Sequence, residues 1–155
     1  MQDFEVITEL PAKRYVKRYL EVNYGTPAEI NNRSFIGKFF YMLVEDSSQE
    51  NDKKIKLTGY KDMVTLKLTT RCFFRKGCIL TPTNIVLFNS FVEDVIKSGL
   101  EHFMLGAVKV GKKKKAESYY GFMDLMSMSE TDFPYETIKK HVDRKGIFKN
   151  TLVTD

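Results

Sequence analysis

The side chains with most chemistry to offer are cations toward the carboxyl end of the sequence. Lys112, Lys113, Lys114 and Lys115 follow one another without interruption, and Lys139, Lys140, Arg144 and Lys145 recur further along. A lysine neutralises a phosphate as a point charge, whereas the arginine fork grips a phosphate or a guanine edge through two parallel hydrogen bonds. These eight residues are the candidate nucleic-acid-binding set. The plainer alternative for each is a solvated surface charge, and Glu136 and Asp143 among the later cations favour that alternative.

The sequence offers little for catalysis. His102 and His141 are its two histidines, and neither adjoins a cysteine or a paired carboxylate. The phosphate-cradling, dinucleotide-binding, zinc-protease and serine-hydrolase motifs are missing. Glu93, Asp94 and Asp124 read as surface acids on helices rather than as a carboxylate site. Cys72 and Cys78 stand in neither a redox nor a zinc-ligand spacing and read as two reduced thiols, with a pairing across a hairpin as the alternative. The expectation is therefore a non-enzymatic protein with no catalytic residues, metal site, cofactor or small-molecule ligand.

The elements that must position the cations follow from periodicity. The lysine run lies in a glycine-containing basic loop over residues 106–115. Two helices are expected after it, over about 116–126 and 134–144, separated by a polar connection at 127–132. Tyr119, Tyr120, Met123 and Met126 make an inner face for the first, and Tyr135, Ile138 and Val142 for the second. Lys139, Lys140, His141, Arg144 and Lys145 are left for the outer surface, the arrangement a helix-turn-helix requires. The connection has no glycine, which puts a tight turn in question.

Upstream, residues 3–9 alternate as a short strand, and Pro11 is expected to open a first helix over 11–24 that stops at Gly25. That helix interleaves Lys13, Arg14, Lys17 and Arg18 with Tyr15 and Tyr19, a pattern that suits a nucleic-acid surface but more often marks the rim of a core. Thr26 and Pro27 form a turn. Asn31, Asn32 or Ser34 caps a second helix through Phe35, Ile36, Phe39, Phe40 and Leu43. Residues 46–54 lack any apolar side chain and read as an exposed loop. Alternation of Val64, Leu66 and Leu68 predicts an antiparallel sheet or hairpin within 55–74, with a turn at Thr58 and Gly59. Phe73, Phe74, Arg75, Lys76 and Gly77 are its candidate tip, of the kind that serves as a wing against a sugar-phosphate backbone, with a simple solvated turn as the alternative. A long helix follows from Thr81 and Pro82 to about Leu105, striped by Ile85, Phe88, Val92, Val95, Ile96, Leu100 and Phe103. Residues 151–155 read as a frayed tail.

The fold class is thus α+β: a mainly helical bundle with a small antiparallel sheet or hairpin and a C-terminal helix-turn-helix-like pair. With 155 residues, 43% hydrophobic and 29% charged, one domain is expected, 1–105 as scaffold and 116–148 as the helix-turn-helix-like subdomain. The net charge of +5 and pI of about 9.1 suit polyanionic partners. The N-terminal residues lack a secretion signal and no apolar run is long enough to span a bilayer, so the expectation is a cytoplasmic protein without membrane association.

Residues 83–93, TNIVLFNSFVE, and 119–144, YYGFMDLMSMSETDFPYETIKKHVDR, resemble small DNA-binding proteins of bacterial prophages and mobile elements. The resemblance covers about a third of the chain. It implies a DNA-associated role in replication, transposition or transcriptional control, with Lys139, Lys140 and Arg144 on the reader helix. The expected partner is duplex DNA in preference to RNA, bound by a monomer or homodimer. An assembly protein whose 12 phenylalanines and 8 tyrosines anchor interfaces is the alternative.

Overall fold

The computed structural model describes residues 5–46, 56–146 and 148. The element order is β1 (Val6–Ala12), α1 (Arg14–Tyr24), β2 (Ala28–Ile30), α2 (Phe35–Asp46), β3 (Asp62–Leu68), α3 (Thr70–Lys76), α4 (Pro82–Lys109), α5 (Lys115–Leu125) and α6 (Tyr135–Lys145). The chain is α+β, with a small mixed sheet, and divides into two compact units, 1–93 and 94–155.

In the first unit the strands lie in the order β1-β3-β2. β1 pairs antiparallel with β3, setting Val6 against Leu68 and Ala12 against Asp62, and β2 pairs parallel with β3, setting Ala28 against Leu66 and Ile30 against Leu68. The expected hairpin is therefore corrected: Val64, Leu66 and Leu68 alternate inward as read, but on a central strand whose partners are distant in sequence. Pro11 belongs to β1 and the first helix starts at Arg14. β1 is an edge strand, where a residue without an N–H costs no ladder bond. The expected wing at 73–77 is also corrected, because those residues form the end of α3 and its Gly77 cap. Cys72 accordingly lies on that helix rather than across a hairpin, and Cys78 is a free thiol.

The first core combines Leu10, Val16, Leu20, Ile30, Ile36, Phe40, Val64, Leu66, Phe88 and Val92, all nearly or fully buried. Two polar devices fix its corners. Asn89 is completely buried; its Oδ1 accepts the Lys13 backbone N–H at 3.0 Å, and its Nδ2 donates to the carbonyls of Pro11 and Ile85 at 3.1 and 2.9 Å. At the start of α2, Asn31 Oδ1 accepts the backbone N–H groups of Arg33 and Ser34, while Ser34 Oγ accepts that of Gly37. A Cβ at Gly37 would stand 1.8 Å from the Asn31 carbonyl oxygen, so only glycine lets the turn close on the helix.

At the start of α1, the cap residue Lys13 and Tyr15 both bind the Glu93 carboxylate, and along the helix Lys17 lies 3.8 Å from Glu21. Burial and the bond to Glu93 push the Tyr15 hydroxyl up to about 12. Lys13, Tyr15, Lys17 and Tyr19 are thus half-buried at the rim of the core, whereas Arg14 and Arg18 are exposed.

The second unit buries Ile96, Leu100, Met104 and Val108 of α4 with Tyr119, Phe122 and Met123 of α5 and Ile138 and Val142 of α6. α4 continues past Leu105 to Lys109, because the burial of Val108 outweighs the roughly 1 kcal/mol that Gly106 costs a helix. The expected Phe103 is half-exposed at 38%, and Met104 fills the core instead. The expected tail and all but the first residue of the expected loop at 46–54 lie outside the described residues.

Candidate nucleic-acid interface

The interface is built on α5 and α6. Residues 126–134 connect them, nine residues against the three or four of a helix-turn-helix turn. Their folding has local causes. Ser127 is left-handed at φ 51°, and Met128 and Phe133 turn inward to be 7% and 6% exposed. Asp132 accepts both the backbone N–H and the hydroxyl of Ser129, at 3.0 and 2.7 Å. The buried Tyr119 hydroxyl donates to the Phe133 carbonyl. Burial, reinforced by nearby Glu130, pushes that hydroxyl up to about 12, so it remains a donor throughout the neutral range. Tyr120, expected inside, is 46% exposed, and Phe122 takes the inner position.

α6 has the short apolar stripe its sequence promised. Ile138 and Val142 are 2% and 1% exposed, and Tyr135 is half-buried against Tyr119 at 5.1 Å between ring centroids. Lys140 and Arg144, four residues apart, share the exposed face on the far side of the helix, with Lys139 half-buried on its flank. Gly146 ends the helix in the left-handed conformation at φ 64°.

Two of the eight candidate cations are spent inside the unit. Lys145 Nζ lies 2.8 Å from Glu101, which also binds His141 Nε2. Burial pushes the Glu101 carboxyl up, but the hydrogen bonds from Lys145 and His141 outweigh it and hold the group below its ordinary value. Lys115 is 15% exposed, sits 3.9 Å from Asp143 and lies over the Phe148 ring at 5.2 Å. A third, Lys113, faces Glu117 at 3.7 Å, but both side chains are more than half exposed and water screens the pair. Lys112, Lys114, Lys139, Lys140 and Arg144 have no acidic partner within ion-pair distance among the described residues.

The Lys115 to Asp143 pair brings the first turn of α5 to the last turn of α6. The lysine run and Arg144 therefore lie at the same end of the helix pair, while Lys139 and Lys140 are about one turn further back along α6. Glu101, which binds Lys145 and His141 of α6, escaped the sequence reading because it is forty residues from His141. Its position in α4 beside buried Leu100 was the only available signal.

Among the described residues no group of three or more His, Cys, Asp or Glu side chains is placed to hold a metal ion, and no helix is long and apolar enough to cross a membrane. Comparison with known protein families, characterised proteins and solved structures finds no match.

Proposed function

We propose that this chain is a non-enzymatic DNA-binding protein that holds duplex DNA by its phosphates through the α5 and α6 surface. The observation that carries this reading is the set of five cations without acidic partners among the described residues, part of it gathered at one end of the helix pair by the Lys115 to Asp143 contact. Such an array releases condensed counterions on binding and needs no fixed sequence. The cations occupy the loop and the carboxyl half of α6, whereas the first turn of α6 carries Glu136. A reader helix contacts bases mainly with its amino-terminal residues, so backbone contact with little base selectivity is the form of recognition these positions support. A role in the replication, transposition or transcription of a phage or mobile element belongs to the same proposal.

Fluorescence anisotropy of labelled duplexes of unrelated sequence tests it. Binding at low salt with similar affinity for each duplex is the expected result, and no binding at 50 mM salt would refute it. Phe74 and Ile79, exposed at 76% and 77%, support a second reading, assembly through protein contacts. Concentration-dependent oligomers without DNA affinity in size-exclusion chromatography would favour that reading.

A further inference from the structure

We propose that the cleft at the carboxyl ends of β2 and β3 binds a small phosphomonoester. This site lies in the first unit and is independent of the DNA surface proposed above.

Three arginines from two distant segments line one concavity of about 540 Å³: Arg33 from the turn between β2 and α2, and Arg71 and Arg75 one turn apart on α3. All three are exposed, and none has an acidic partner within ion-pair distance among the described residues. Glu29 is the one carboxylate in the lining, which is left with two net positive charges. That matches the charge of a phosphate monoester, about −1.5 to −2 at neutral pH. A nucleic-acid backbone instead presents one charge per phosphate along an extended track, which a concave cluster of three forks does not follow.

The topology supports the assignment independently. β2 and β3 are the parallel pair of this sheet, and the chain leaves their adjacent ends, Ile30 and Leu68, directly into the lining residues Asn31 and Thr69. In open sheets with parallel strands, ligands settle in the crevice beyond the carboxyl ends of those strands. Asn31 spends its Oδ1 on the turn, which leaves its amide nitrogen as a donor in the lining. A neighbouring concavity of about 380 Å³ shares Glu29, Thr69 and Arg71 and adds Leu68, Thr70 and the ion pair of Lys67 with Glu5, which contributes no net charge. It offers room and polar groups for the part of the ligand that carries no phosphate. Both volumes fall in the range of small-molecule sites. The sequence reading expected no such ligand, because nothing local links position 33 to positions 71 and 75.

The test is isothermal titration calorimetry of the full chain with adenosine 5′-monophosphate, inorganic phosphate and adenosine. The monophosphate and phosphate are expected to bind in competition, and adenosine is not. Affinity for the monophosphate should rise between pH 5 and 7 as its second ionisation completes. The double variant Arg71→Ala, Arg75→Ala should weaken binding by roughly tenfold or more. Arg33→Ala, in an exposed turn outside α3, should also weaken it and guards against misfolding of the double variant. The variant Lys139→Ala, Lys140→Ala, Arg144→Ala should bind the monophosphate as the wild type does, which separates this site from the DNA surface. No heat with either phosphate at millimolar concentration overturns the proposal, as does affinity indifferent to the three arginines. Displacement of the monophosphate by duplex DNA without terminal phosphates, dependent on Arg71 and Arg75, also overturns it in favour of a diester site.

Discussion

Replacing Asn89 by alanine removes the polar bolt at the corner between β1 and α1. The side chain is 0% exposed and makes three hydrogen bonds, to Lys13 N–H and to the carbonyls of Pro11 and Ile85. Three such bonds contribute on the order of 1 kcal/mol each. The Lys13 N–H, as the cap residue of α1, has no intrahelical acceptor to fall back on, and stranding it costs about 1–3 kcal/mol more. A loss of about 4–6 kcal/mol is therefore expected, a large fraction of the stability of a chain this size. With no tryptophan and eight tyrosines, urea unfolding followed by tyrosine fluorescence is the suitable assay, and the midpoint should fall with the slope unchanged. Asn89→Asp retains the acceptor for Lys13 but sets a carboxylate against two carbonyls, so it should be no more stable than the alanine variant. A loss below about 1 kcal/mol for Asn89→Ala would refute the reasoning, since it would mean that these bonds are readily replaced by water.

Gly37→Ala forces a methyl group onto the Asn31 carbonyl, 1.8 Å away, and should destabilise by about 3 kcal/mol or more, with the thermal midpoint as the check. Glu101→Gln should release Lys145 and His141 and steepen the salt dependence of DNA binding by about one phosphate contact, measured by anisotropy. Because the Glu101 carboxyl is held below its ordinary 4.5, its contribution to stability is present above that pH and lost as pH falls through the folded value. Acid unfolding of Glu101→Gln should therefore be less steep there than that of the wild type. Tyr15 and Tyr119, both pushed up to about 12, keep their protons while unfolded tyrosines ionise near 10. Stability should consequently fall between pH 10 and 12, and Tyr119→Phe, less stable at neutral pH, should show a smaller fall in urea titrations across that range.

Much of the helical architecture was legible because its causes are local. Ile85, Phe88, Val92, Ile96 and Leu100 recur at spacings of three and four and all are buried along α4. The stripe of α6 was as clear in Ile138 and Val142, and Ser34, one of three candidates, caps α2 while Asn31 closes the turn before it. The sheet was legible only in part, since alternation identifies a strand but not its partner. β2 is three residues long, too short to show a period, and β3 pairs with strands many residues away. α3 contains a threonine and two adjacent phenylalanines, which favour strands locally, and tertiary context overrides that preference. For the interface, the sequence identified the cations but not their partners. Lys115 and Lys145 became structural because Asp143 and Glu101 reach them only in three dimensions.

The most direct measurement of the central claim is the slope of log affinity for a duplex against log salt, for the wild type and for Lys139→Ala, Lys140→Ala, Arg144→Ala. The five cations without acidic partners among the described residues predict a wild-type slope near −4.5, about a 500-fold loss of affinity between 50 and 200 mM salt, and a slope shallower by about 2.7 in the triple variant. A slope near zero, or one that the three substitutions leave unchanged, would contradict the assignment of these cations to DNA.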